Sequence, residues 1–141
     1  MSTEENKATI RRYIEEAWNK GNVAIIDELM APSYARYMAG SAPPLDREGQ
    51  KQRIKGFLNA FPDFHLTIED LVAEGDKVVF RMTGCGTHHG AFMGIAPTGR
   101  PMTITIIDIA RFANGQVVEH WGNRDDLGML QQLGAIPIDG S

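Results

Sequence analysis

The residues best suited to chemistry in this 141-residue chain gather towards its C-terminal half. Asp125 follows the run Glu119-His120-Trp121 and precedes Leu127, Leu130 and Leu133. An aspartate there has two readings with opposite electrostatics. As the N-cap of a helix it accepts backbone amides, which lower its pKa; as a general base in an apolar cavity it needs a raised one. The sequence leaves both open. His88, in Gly86-Thr87-His88-His89-Gly90, is either a structural histidine or a group that polarises a substrate carbonyl. Arg81, between Phe80 and Met82 in an extended run, is either solvated or a cavity donor for an anionic oxygen.

Metal and phosphate chemistry are disfavoured. His88 and His89 point to opposite sides of an extended chain, and neither His65 nor His120 completes a zinc spacing. Gly84-Cys85-Gly86 with Gly90 lacks the helix that a phosphate-cradling loop must open. The lone Cys85 has no disulfide partner and is expected to be a small buried residue among glycines. No metal and no organic cofactor are therefore expected, which leaves acid/base chemistry by side chains alone.

The elements that must position these groups follow from hydrophobic period. Ile10, Tyr13, Ile14, Ala17 and Trp18 share one face of a helix over 4–20, and Val23 to Met30 predicts a second helix ended by Pro32. Ser33 to Leu45 reads as a long loop in which Tyr34, Tyr37 and Met38 are embedded in turn residues. Asp46 caps a third helix carrying Ile54, Phe57, Leu58 and Phe61. Strands are then expected over 64–73, 77–87, 100–112 and 116–123, with turns at Glu74-Gly75-Asp76 and Ala113-Asn114-Gly115, before a short helix over 126–133. Alternation in the fourth strand puts Val117, Glu119, Trp121, Asn123 and Asp125 on one side, with Val118, His120 and Arg124 on the other. Helices followed by an antiparallel meander define an α+β domain over 1–141. Tyr13, Trp18 and Trp121 are core aromatics that can also line a pocket, and Met82, Met93, Met102 and Met129 serve packing or ligand contact.

Composition narrows the partners. With 43% hydrophobic residues and a net charge of -4 from 14 basic and 18 acidic residues, the chain has no basic field for nucleic acid. It has no run of about 20 apolar residues for a membrane span, and its polar start lacks the apolar stretch of a signal peptide, so a cytoplasmic location is the expectation.

Taken together, Gly86-Thr87-His88-His89-Gly90, Gly94 to Arg100, Glu119-His120-Trp121, Asp125 before Leu127 to Gly134, Trp18-Asn19, Asp27 to Met30 and Phe61-Pro62-Asp63 resemble the SnoaL-like polyketide cyclase (ester cyclase) family, within the nuclear transport factor 2-like superfamily. The chain departs from the common pattern at Ala96, where many relatives carry a second proline. The resemblance implies a cone-shaped α+β barrel in which a curved antiparallel sheet wraps N-terminal helices around an apolar pocket, with homodimers formed through the sheet. It implies cofactor-independent ring closure of a small hydrophobic or polyketide-like carbonyl substrate by an aldol step, or a related lyase or isomerase reaction. In that reading Asp125 is the acid/base, His88 or Arg81 steadies the enolate oxygen, and Tyr13, Trp18, Tyr37, Met93 and Trp121 bind substrate. A non-catalytic small-molecule-binding protein on the same cone is the alternative.

Overall fold

A computed structural model describes residues 2–38 and 42–137. Helix α1 (Thr3–Tyr13) starts at a reciprocal capping box between Ser2 and Glu5 and runs without a break into a π-helical segment, Ile14–Asn19. The expected helix over 4–20 is therefore real but underwound at its end. A 3-10 turn (Val23–Ile25) and the single-turn helix α2 (Ile26–Leu29) lead into strand β1 (Met30–Tyr37). Asp46 caps α3 (Arg47–Ala60) by accepting the Gly49 amide at 2.8 Å. The chain then forms β2 (His65–Glu74), β3 (Lys77–Thr87), β4 (Pro101–Ala113), β5 (Gln116–Arg124) and the short helix α4 (Asp126–Gln132).

The fold class is α+β, as expected, but the sheet is mixed and open. Its order is β1-β5-β4-β3-β2, with β1 parallel to β5 and the other pairs antiparallel. Strand β1 replaces the first part of the expected loop over 33–45; Gly40 and Ser41 of that loop lie outside the described residues. Pro32 follows the end of α2, as expected, and its missing N–H is tolerated within β1 because β1 is an edge strand.

The inner face of the sheet carries the core. Val78, Phe80 and Met82 of β3, and Met102, Ile104, Ala110 and Phe112 of β4, are buried against Ile10, Tyr13, Ile14 and Trp18 from the first helix and Ile54 and Phe57 from α3. Gly84 and Gly86 also face inward. A Cβ on Gly84 would sit 2.6 Å from the Phe64 ring, so these glycines are where Phe61 and Phe64 pack on bare backbone. Strand alternation then turns Cys85 outward, where its thiol is exposed and 3.6 Å from the Thr103 hydroxyl; this corrects the expected burial.

A second correction concerns β5. The pairing of β4 with β5 slips between Arg111 and Phe112, so that Val118 is an extra residue. The bulge brings Val117 onto the same buried face as His120, while Glu119 and Trp121 stay outside. On the β2 edge, the Asn19 carboxamide accepts the Leu66 N–H at 2.8 Å and donates to the Leu66 carbonyl at 3.0 Å, so it occupies the edge as a neighbouring peptide group would. Among the described residues, no helix is long and apolar enough to cross a membrane.

Candidate active site

A narrow cavity of about 30 Å³ opens between the inner sheet face and the helices, lined among others by Tyr13, Trp18, Arg36, Arg53, Phe57 and Asp108. It leads to a shallower mouth of about 70 Å³ bounded by Arg36, Arg53, Gly122, Asn123 and Arg124. Each polar group is placed by an ordinary rule of its element. On β4 every second residue faces in, and Asp108 falls between Ile106 and Ala110 on that inward row. His120 is the inward residue of β5 beyond the bulge, and Arg36 lies beside it on the parallel strand β1. Gly122, directly opposite Asp108, supplies the room for the carboxylate: a Cβ there would come within 2.7 Å of Asp108 Cγ and 2.6 Å of Arg36 Nη1.

These residues form a buried relay. His120 Nε2 is 2.8 Å from Asp108 Oδ2, and His120 Nδ1 is 2.8 Å from the Tyr34 hydroxyl. Arg36 Nη1 approaches the same Asp108 oxygen at 3.5 Å. Burial opposes ionising Asp108, but the hydrogen bond from His120 and the charges of His120, Arg36 and Arg53 outweigh it and hold the carboxyl below its ordinary range. Burial, followed by the Arg36 charge, pushes His120 down to about 4 despite the Asp108 partner, so the imidazole is neutral near pH 7. An ionised carboxylate only accepts, so Nε2 carries the ring proton and Nδ1 accepts from Tyr34. Burial raises Tyr34 well above the usual phenol range, and the hydroxyl keeps its proton. The second carboxylate oxygen, Asp108 Oδ1, is buried without a partner among the described residues, as is Arg36 Nε.

The π-helical turn has a consequence here. A π turn brings residues i and i+5 into register, and the Trp18 indole N–H donates to the Tyr13 hydroxyl oxygen at 3.1 Å. Gln50 donates to the same oxygen at 2.9 Å. Tyr13 and Trp18 therefore reach the cavity wall, as the sequence suggested.

The other residues singled out from sequence lie elsewhere. Asp125 is exposed, and its carboxylate accepts the Gly128 amide at 2.9 Å as the N-cap of α4; it does not line the cavity. His88 is buried but outside the cavity: its Nδ1 accepts the Thr98 N–H at 3.2 Å and lies 3.0 Å from the Thr98 hydroxyl, and its ring stacks on Phe61. It fastens the loop between β3 and β4. Arg81 is paired with Asp70 at 2.6 Å on the outer face of the sheet. Tyr37 and Trp121 stack there at 5.6 Å, and Met93 is 62% exposed in the loop before β4.

Asp108, Arg36 and Arg53 were missed, though Asp108 carried a signal. It is the one charged residue in the run Met102 to Ala110, at even spacing from Met102, Ile104 and Ile106, so alternation alone would have turned a carboxylate into the core.

The fold has counterparts. A family model described as SnoaL-like polyketide cyclase matches residues 8–133. IdmH, a candidate polyketide cyclase from Streptomyces antibioticus, is 39% identical, with 92% of this chain and 98% of that one covered at a TM-score of 0.81. AclR, a candidate hydroxylase from Streptomyces galilaeus, is 32% identical over 96% of this chain and 89% of its own, with a TM-score of 0.86. TsrD from Streptomyces laurentii is 31% identical over 96% and 99%, also at 0.86. Among curated proteins, no sequence matches. A family match spanning the helices and all five strands, together with relatives above 30% identity over nearly the whole length, makes this chain a member of the SnoaL-like polyketide cyclase family.

Proposed function

We propose that this protein is a cofactor-independent acid/base enzyme that acts on a small, largely apolar carbonyl compound in the cavity beside Asp108. The single observation that carries this reading is the free Oδ1 of an ionised, buried carboxylate whose other oxygen is held by His120. Oδ1 takes a proton from the carbon next to a substrate carbonyl, giving a neutral Asp108 and an enolate whose oxygen lies against the Arg36 guanidinium. The enolate carbon then adds to a second carbonyl carbon of the same molecule, and the alkoxide formed recovers the proton from Asp108. Orientation supplies much of the rate, since holding reacting carbons at near-attack distance is worth roughly 7–11 kcal/mol. The lowered pKa makes Asp108 a weak base, so the reading requires a substrate proton already made acidic by a neighbouring carbonyl.

Asp108, rather than the capping Asp125, is the base in this proposal, and His88 has a loop-fastening role. The likeness to a candidate polyketide cyclase supports a ring-closing reading over other acid/base reactions. The test is proton exchange. A panel of β-keto esters is incubated with protein in D₂O and the α-proton signal is followed by NMR. Protein-dependent exchange that is lost in Asp108→Asn and kept in Asp125→Asn supports the reading. Loss in Asp125→Asn with retention in Asp108→Asn refutes it, and no exchange with the wild type favours the alternative of a binding protein. We also propose a homodimer through the outer sheet face, where Val79 and Ile107 are exposed.

A further inference from the structure

We infer that the mouth of the cavity is an anion site, and that the ligand carries a carboxylate. The inference deepens the proposed function by naming the substrate class of the same cavity, and it rests on that reading only for the place of the site. Three guanidiniums, those of Arg36, Arg53 and Arg124, line both the cavity and its mouth. The carboxylates there are Asp108, held by His120 and Arg36, and Asp126, paired with Arg124 at 2.6 Å. One positive charge is left unbalanced, and it falls on Arg53. Among the described residues Arg53 has neither a carboxylate nor a hydrogen-bond partner; its guanidinium lies over the Trp18 ring, 5.8 Å from the centroid.

The aromatic walls give the anion a frame. Arg124 lies over the Phe57 ring at 5.2 Å, and the Trp18 and Phe57 rings meet edge to face at 5.7 Å, so the two guanidiniums sit on adjacent rings at one opening. Stacked guanidiniums keep their N–H edges free, and those edges match the geometry of a carboxylate. Holding like charges together without an anion is unfavourable. Burial and the charges of Arg36 and Arg124 push Arg53 down to about 10, and a bound carboxylate would relieve that crowding. Behind the guanidiniums, Phe64, Leu66, Met82 and Ile106 offer only apolar surface. The site therefore offers a carboxylate two stacked guanidiniums with apolar surface beside them, and a neutral ligand would leave Arg53 unpaired.

The probes are benzoate and 2-naphthoate, compared with benzamide and 2-naphthamide, which keep shape and lose charge. Binding is read by arginine Nε–H NMR shifts and by Trp18 fluorescence in a Trp121→Phe background, since Trp121 lies on the outer face. The carboxylates are expected to bind at least about tenfold more tightly than the amides, in line with a charge-assisted hydrogen bond, and added salt should narrow the gap. Arg53→Gln should remove that preference while leaving the amide affinity within about twofold. Asp108→Asn should bind carboxylates at least as well as wild type, because it removes a competing negative charge. Equal binding of acid and amide overturns the anion site yet leaves the catalytic cavity standing. Loss of carboxylate binding in Asp108→Asn, or unchanged preference in Arg53→Gln, also overturns it. Failure of all four probes to bind refutes both the anion site and the ligand cavity.

Discussion

Replacing Gly122 with alanine tests how tightly the buried relay is built. The new Cβ would stand 2.7 Å from Asp108 Cγ and 2.6 Å from Arg36 Nη1. Asp108 Oδ1 is nearer still, so restoring an ordinary contact requires the carboxylate to retreat by about 1 Å. The Arg36 terminus can swing aside, but Asp108 is fixed in the middle of β4, and a retreat of that size breaks its 2.8 Å bond to His120. Losing a buried hydrogen bond to a charge costs about 1.5–3 kcal/mol, and overpacking about 1–3 kcal/mol. Both arise from one displacement, so the expected total is about 2–4 kcal/mol. For a domain of this length that lowers Tm by roughly 6–16 °C. Thermal unfolding followed by circular dichroism gives the number, and His120 ring-nitrogen shifts report whether the bond survives. In an Asp108→Ala background the same substitution should cost less than about 1 kcal/mol, because the obstructing carboxylate is gone. A Tm within about 1 °C of wild type, with the His120 signal unchanged, refutes the claim that Gly122 exists to seat Asp108.

The protonation state of the relay also sets an acid limit on the fold. His120 falls to about 4 on folding from an ordinary value near 6.5, so its neutral form is the folded one. Stability is fully present above about pH 6.5 and is lost as pH falls towards 4, by roughly 3 kcal/mol. Asp108, lowered on folding, adds a further loss in more acidic solution as the carboxyl protonates. Urea unfolding at a series of pH values should show this slope, and His120→Gln should flatten its upper part; a wild-type curve flat between pH 6.5 and 4 contradicts the assignment. For the sheet dimer, sedimentation should give twice the monomer mass, and Ile107→Glu, which puts a charge on the outer face, should yield monomers of unchanged secondary structure. A monomeric wild type rules out that pairing.

Much of the scaffold was readable because it obeys local rules. Asp46 and Asp125 cap the helices expected of them, and the β4–β5 turn has Asn114 and Gly115 at positive φ, as a tight hairpin requires. What escaped reading depends on neighbours distant in the chain. Strand β1 has little pattern of its own and is held by β5, so a proline and several turn residues disguised it. The bulge at Val118 is set by pairing with β4. The site suffered most. Asp125 has the family motif around it, yet the amide of Gly128 occupies its carboxylate, while Asp108, though turned inward by alternation, meets His120 and Arg36 only when β4 and β1 are both laid against β5. Tyr13 and Trp18 share one helical run, so their common place at the cavity wall follows from short-range periodicity.

The parallel pairing of β1 with β5 bears on when the protein becomes competent, as well as where its groups lie. Tyr34 and His120 are separated by 86 positions, and Arg36 and Asp108 by 72. Contacts so remote in sequence pay their loop-closure entropy late, after the local hairpins of β2 to β5 have formed. A folding chain can thus hold Asp108 and His120 side by side on a finished hairpin while the guanidinium and phenol from β1 are still undocked. Docking of this one edge strand is then the step that completes the buried relay.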